Sequence, residues 1–295
     1  MTLKQAVEEY KEVYLAYRNY APRTREEYTN DLEDMVEYLA RVGVIYLKDV
    51  RLSNLIRYMA ELDRRGLLGS TRKRKVVAIK SFFSFMYAES YTHTNIAREV
   101  IPPFVEESRP RYLTADEYNR LLDSAKGNIR DHAIILLLLQ TGIRLSELTR
   151  LTLNDLRITD TKDENGGKTS FIRVIGGQRN KDRVVPINAD AKLVLDEYLR
   201  DRDLSHSDNL FLSRSGEQLG ERGVEKVVGK YLKLAGITNA SVNSLRHTFG
   251  MQHVLKGTTI KTIQELMGHK DIRTTEEYIP LANGVAKSEL EENTL

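Results

Sequence analysis

The run Ile129-Arg-Asp-His-Ala-Ile-Ile-Leu-Leu-Leu-Leu-Gln140-Thr-Gly142-Ile-Arg144-Leu-Ser-Glu147-Leu148 sets the reading of this chain. Residues 129–140 are apolar around most of the helical circumference, so they form a mostly buried helix rather than a surface one. The unbroken apolar part, 133–139, is far shorter than the roughly 20 residues a bilayer span needs. Gly142 ends the helix, because glycine is the residue that closes a last turn at no steric cost. Arg144 then opens a new turn that contains Glu147. An arginine at a helix start adds its fork of donors to free backbone amides, an arrangement suited to phosphate. Glu147, three residues on, can pair with an arginine and fix its orientation.

Downstream, residues 170–175 and 183–187 alternate as the arms of a β-hairpin around the polar turn Gly176-Gly-Gln-Arg179-Asn-Lys181-Asp-Arg183, and 156–159 reads as a third short strand. Helical patterns return near 189–201, 221–235, 242–256, 259–267 and 273–278. Upstream, Thr114-Ala-Asp-Glu117 is a capping box that starts a helix. Within the later helices Arg246 follows Asn-Ser-Leu, on the edge of a face formed by Val242, Leu245 and Phe249. A guanidinium so placed must find an anion. His269 stands in Leu-Met-Gly-His-Lys, where Gly268 caps a helix, and Tyr278 closes the run Thr-Thr-Glu-Glu-Tyr.

Residues 1–102 read as helices only, near 2–18, 22–42, 52–66 and 70–88, with Leu32, Met35, Val36 and Leu39 forming one stripe and Val76, Ile79, Phe82, Phe83 and Met86 another. Pro102 and Pro103 favour extended chain and begin a linker over 103–112. The expected architecture is mainly α with a small antiparallel β-sheet. It comprises an all-helical N-terminal domain at 1–102 and a mixed α+β domain with a C-terminal tail at 113–295.

At 295 residues the chain is long enough for two domains with separate cores. Its formal net charge of +3 establishes no partner, but the distribution is uneven. Residues 1–50 hold seven Lys/Arg against ten Asp/Glu, and residues 51–100 hold ten against four. The excess peaks at Arg72-Lys73-Arg74-Lys75, a positive run of the kind a phosphate backbone requires. The absence of cysteine excludes disulfides, thiolate metal sites and cysteine nucleophiles. His247, His253 and His269 are not at metal-ligand spacing with carboxylates, so no metal and no cofactor are expected. The first residues enter an amphipathic pattern with no signal-peptide core, which fits a cytoplasmic protein without membrane attachment.

Two arginines, a lysine, a histidine and a tyrosine are the set that cleaves a phosphodiester without a metal. Arginines neutralise the non-bridging oxygens, the phenol attacks phosphorus, and a lysine protonates the departing oxygen. In this order and with these flanking motifs, the chain resembles the tyrosine recombinases, the phage-integrase and Xer-type family. The resemblance extends over essentially the whole chain and is strongest from about 113 to 278.

It implies that Arg144 and Arg246 are the catalytic arginines, His269 a hydrogen-bond donor to the phosphate and Tyr278 the nucleophile. It also implies that the product is a 3′-phosphotyrosyl bond, resealed without a nucleotide cofactor. The partners implied are double-stranded DNA and further copies of the chain, as a tetramer on paired sites that exchanges strands through a Holliday junction. The resemblance further implies that the helical first domain binds DNA, that the second domain is catalytic, and that the tail over 282–295 is a helix that docks on a neighbouring subunit. Thr24 and Arg25 resemble a family helix that meets DNA, and Arg72, Lys73, Arg74, Lys75 and Arg179 are the other expected DNA contacts.

Two positions depart from the family pattern. Asn243 stands where the family usually has histidine, so it can donate a hydrogen bond but cannot take a proton. In the hairpin turn, direct alignment brings Gln178 or Arg179 to the place of the catalytic lysine, and Lys181, the turn's lysine, is the residue assigned that role. Adjacent to Arg246, His247 is expected to point away from the reaction. The departures leave two alternatives: a topoisomerase-like enzyme that cuts and reseals, and an architectural or regulatory DNA-binding protein with degraded catalysis.

Overall fold

The computed structural model describes residues 1–105, 109–158, 170–176, 182–202 and 207–293, with the backbone alone from 286 onward. The chain divides into two compact units, Met1–Ser108 and Arg109–Leu295. Among the described residues of the first, the regular elements are all helices. Helix α1 (Leu3–Glu9) is opened by a capping box between Thr2 and Gln5 and runs into a π-helical turn, Tyr10–Leu15. That register brings residues five apart onto one face, and Tyr10 and Leu15 are both fully buried. Helices α2 (Pro22–Arg41), α3 (Leu52–Arg64) and α4 (Gly69–Ala88) complete the unit. They close over a core of Leu32, Met35, Leu39, Leu55, Tyr58, Ile79, Phe82 and Phe83.

The basic run expected to meet DNA begins α4, and here the structure corrects the sequence reading. Lys75 lies i−4 from Ile79 and i−7 from Phe82, so the helical period carries it onto the core face. It is 6% exposed. Its ammonium sits 3.1 Å from Asp31 Oδ1 and 2.8 Å from Asp34 Oδ2. Arg74 pairs with Asp31, and Arg72 with Asp63 at 2.5 Å. Lys75 is therefore a buried structural cation and not a DNA contact, and of the four cations only Lys73 is exposed. Asp34 also accepts from Arg65 and Tyr58, each at 2.8 Å. Burial would raise its carboxyl, but Lys75, Arg65 and Tyr58 outweigh that and hold it at about 2. Lys75→Ala removes the cation that Asp31 and Asp34 share, leaving Asp31 to Arg74 and Asp34 to Arg65 and Tyr58. It is expected to destabilise this unit by about 1–3 kcal/mol in urea unfolding, whereas Lys73→Ala should change stability by less than about 0.5 kcal/mol.

The second unit opens with α5 (Ala115–Ala125), started by the Thr114–Glu117 capping box, and α6 (Ile129–Thr141), capped by the Asn128 side chain. Residues 133–139 of α6 are each at most 4% exposed. This helix is the spine of the unit because every side of it meets another element. The short α7 (Leu145–Leu148) follows Gly142.

Strands β1 (Leu156–Arg157), β2 (Ser170–Val174) and β3 (Arg183–Ile187) form an antiparallel sheet in the order β1-β2-β3. Ile172 pairs with both Leu156 and Val185, and Val174 pairs with Arg183. The inward residues Ile172, Val174, Val185 and Ile187 extend the α6 core.

Helices α8 (Ala189–Asp201), α9 (Glu221–Leu234), α10 (Val242–Leu255), α11 (Ile260–Met267), α12 (Arg273–Glu276) and α13 (Tyr278–Asn293) complete the chain. Pro280 falls in the first turn of α13, where no intrahelical N–H is required, so the helix runs past it. Among the described residues, no helix is long and apolar enough to cross a membrane.

Candidate active site

The C-terminus of α11 organises the site. Helix ends leave carbonyls without intrahelical partners, at the negative pole of the helix dipole. Here three consecutive carbonyls each take one guanidinium. Arg183 Nε donates to Leu266 O at 2.7 Å, Arg246 Nη2 to Met267 O at 2.7 Å, and Arg144 Nη2 to Gly268 O at 2.5 Å. Gly268 makes the close approach possible. Its backbone is left-handed at φ +65, and a Cβ there would stand 2.8 Å from Arg183 Nη1. His269 is the next residue.

Arg246 is anchored a second time, donating to Gly142 O at the end of α6. Gly142 is likewise left-handed, at φ +58, and a Cβ on it would run into the Phe249 ring. The two arginines, separated by 102 positions, are thus drawn together by the carbonyls of two helix ends. Arg246 is 7% exposed, and among the described residues no carboxylate pairs with it. Burial and the neighbouring Arg144 push its guanidinium down to about 9, which leaves it charged at neutral pH.

Glu147 serves Arg144 as anticipated, accepting from its main-chain N–H at 2.8 Å and from Nη1 at 2.9 Å. The same carboxylate also takes both prongs of Arg183, at 2.9 and 2.7 Å. Arg183 is a site residue that the sequence reading missed. A signal existed, since alternation along β3 places residue 183 on the face of Val185 and Ile187. Burial would raise the Glu147 carboxyl, but Arg183 and the Arg144 main chain outweigh it and hold it at about 2.

Tyr278 is 1% exposed, its ring packed with Phe249, Ile263 and Met267. Burial pushes the phenol up to about 12, against the lowering pull of Arg246. The hydroxyl oxygen has a polar partner, His247 Nδ1, at 2.9 Å. His247 therefore faces the phenol of Tyr278, although its place in the helix led it to be expected elsewhere. It turns from Arg246 but meets a phenol delivered by a different element. His269 Nδ1 lies 2.7 Å from the fully buried Thr275 hydroxyl. Burial and then Arg246 and Arg144 push the imidazole down to about 3, so it is neutral at pH 7.

The structure thus brings Arg144, Glu147, Arg246 and His269 to one corner. It adds Arg183 there and lays Tyr278 against α10. Asn243 is exposed on the first turn of α10. Lys181 and Arg179 lie outside the described residues. Thr24 and Arg25 are half-buried on α2, where Arg25 Nε donates to Tyr20 O at 2.7 Å.

Residues 111–284 match the model of the phage integrase family, and residues 7–90 that of the phage integrase N-terminal SAM-like domain. The tyrosine recombinase XerC of Pelotomaculum thermopropionicum is 32% identical over 286 residues, covering 90% of each chain. XerC of Roseiflexus castenholzii is 30% identical over 276 residues, covering 90% of this chain and 85% of that protein. Among solved structures, a lambda integrase dimer bound to a COC′ core site superposes with a TM-score of 0.75 at 20% identity, over 92% of this chain and 96% of that one. XerH bound to a palindromic difH substrate gives 0.72 at 22% identity, over 97% and 83%. At such identities these two likenesses speak for the fold. Taken with the matched family models and the XerC relatives, they lead to one conclusion: the chain belongs to the phage integrase family of tyrosine recombinases.

Proposed function

We propose that this protein is a cytoplasmic site-specific recombinase that cuts and rejoins double-stranded DNA through a 3′-phosphotyrosyl intermediate. The observation that carries the reading is the buried cation Arg246, held by two carbonyls beside Arg144 and paired with no carboxylate among the described residues. A guanidinium desolvated to this degree and left without a counter-ion is poised for an anion from outside the chain.

In this reading Arg144 and Arg246 clamp the non-bridging oxygens of the scissile phosphate, and Glu147 keeps Arg144 aimed. His269 Nδ1 lies against the Thr275 hydroxyl; in this reading Thr275 donates to it, so the neutral ring carries its proton on Nε2 and gives the same phosphate a hydrogen bond. The phenolic oxygen of Tyr278 attacks phosphorus, the bond to the 5′ oxygen breaks, and Lys181 protonates the leaving oxygen. Asn243 adds a neutral hydrogen bond. Because Tyr278 is 1% exposed, seating of DNA must uncover its hydroxyl.

Strand exchange through a Holliday junction follows from a tetramer on paired sites, as the name of the XerC relatives and the lambda integrase tetramer on a Holliday junction suggest. Thr24, Arg25, Arg72, Lys73, Arg74 and Arg179 are the proposed backbone contacts. Arg72 and Arg74 would exchange a carboxylate for a phosphate, which makes affinity steeply salt-dependent.

The test uses duplexes that the purified protein selects from a random-sequence pool, resynthesised with a nick beside the cleavage position so that the freed fragment diffuses away. A protein–DNA adduct resistant to denaturant is expected, and Tyr278→Phe should abolish it while binding the same duplex. Adduct formation by Tyr278→Phe would remove Tyr278 from its role. Tight binding with no adduct from the unmodified protein would favour a regulatory protein, the reading that Asn243 motivates.

A further inference from the structure

The contact between His247 and Tyr278 is outside the roles assigned above, and α10 is built to make it. His247 Nδ1 lies 2.9 Å from the Tyr278 hydroxyl. The two ring centroids are 6.0 Å apart at 61°, so the rings meet edge-on and touch through their polar atoms. Gly250, three residues after His247, shares its helix face. A Cβ at Gly250 would stand 2.6 Å from Tyr278 Cε2 and 2.8 Å from Cζ. Only a residue without a side chain lets the phenol lie this close to the helix. Met267 and Phe249 pack the rest of the ring, so the hydroxyl is held at one place.

We propose that His247 is a catalytic residue of the recombinase, the base that takes the phenolic proton of Tyr278 during cleavage and returns it during rejoining. The inference rests on the reading of Tyr278 as nucleophile. As the bond from the phenolic oxygen to phosphorus forms, the proton passes to Nδ1 of the neutral ring. The bond from phosphorus to the 5′ oxygen breaks, and that oxygen is protonated from the opposite side of the phosphate. On rejoining, the 5′-hydroxyl attacks phosphorus, the phenolic oxygen leaves, and the imidazolium gives its proton back. Nothing is consumed.

The need for such a base is quantitative. A phenol pushed up to about 12 is ionised in only about one molecule in 10⁵ at neutral pH. Burial and the adjacent Arg246 keep the His247 imidazole below its ordinary value, so it is unprotonated and free to accept. Asn243, exposed and one turn earlier on the same helix, has no basic nitrogen to offer. The base that residue 243 lacks is supplied by residue 247.

The experiment compares unmodified protein, His247→Ala and His247→Gln on the nicked duplex, and on the same duplex with sulfur in place of the bridging 5′ oxygen. Sulfur departs without protonation, so that substrate suppresses defects in the acid but not in the base. Glutamine accepts a hydrogen bond from the phenol yet cannot take its proton, and it guards against a folding defect in the alanine variant. With melting temperature and DNA affinity unchanged, His247→Gln should form adduct about 10²-fold more slowly on both duplexes. Adduct formation at or above the unmodified rate overturns the proposal, the faster case marking His247 as a latch on Tyr278. Recovery on the sulfur duplex also overturns it, by moving His247 to the leaving group. Absence of adduct from the unmodified protein on either duplex sinks the recombinase reading instead.

Discussion

Arg246→Ala is expected to slow adduct formation by about 10²–10³-fold, the largest single loss at this site apart from removal of the nucleophile. The residue is buried, charged, and fixed by Gly142 O and Met267 O, so its donors are aimed before the phosphate arrives. Stabilisation by groups that need no reorganisation is where charge development on a pentavalent phosphorus is best met. The same anchoring predicts a structural cost. Removing the guanidinium orphans two carbonyls in a dry site, at about 1–3 kcal/mol each if water does not enter.

Catalysis and folding are separated by Arg246→Lys. A lysine retains the charge but has three donors and no planar fork, so it cannot hold both carbonyls while presenting two donors to a phosphate. It should recover most of the melting temperature and little of the cleavage rate. If Arg246→Lys cleaves within about threefold of the unmodified protein, the clamp geometry is irrelevant and charge alone suffices.

What was readable from the sequence was local. Gly142 and Gly268 announce left-handed helix ends, Thr114 and Glu117 announce a helix start, and alternation over 170–187 announces a hairpin. Each signal is completed within a few residues, so no distant partner can overrule it. Arg144, Arg246, His269 and Tyr278 were legible through their flanking motifs.

The failures share a different cause. Whether Lys75 faces DNA or the core depends on Asp31 and Asp34, more than 40 positions away on α2. Its helical spacing from Ile79 is visible in the sequence, but an apolar neighbour at i+4 argues for the buried face as strongly as for a charged stripe. His247 was judged by its angle from Arg246 on one helix, roughly 100° per residue. That angle says nothing about which other element lies along it. Arg183 was hidden by its position at the end of a polar turn, and only strand alternation distinguishes it from the turn's other cations.

Glu147→Gln should impair both stability and cleavage, and pH dependence is what tells the two apart. The carboxylate accepts four N–H groups from Arg144 and Arg183 and is held at about 2, against an ordinary 4.5. A group whose folded value is depressed stabilises the fold fully above its unfolded value, and that stabilisation is lost as pH falls toward the folded value. From pH 7 down to 5 the contribution is therefore constant, and between about 4.5 and 2 it disappears. A shift of this size corresponds to about 3 kcal/mol of folding free energy.

Urea midpoints of the unmodified protein should fall steeply below pH 4.5. The fall should be shallower in Glu147→Gln, which begins less stable at pH 7 because two guanidiniums then face each other without their shared anion. Cleavage at pH 7 should drop by at least about tenfold, because Arg144 loses the partner that aims it. Arg183 identifies which pair matters. Arg183→Gln leaves the Arg144–Glu147 pair intact, so it should share the stability loss and spare most of the cleavage rate. Equal losses of rate in Arg183→Gln and Glu147→Gln would mean that Arg183 itself reaches the phosphate, making the clamp one of three arginines instead of two.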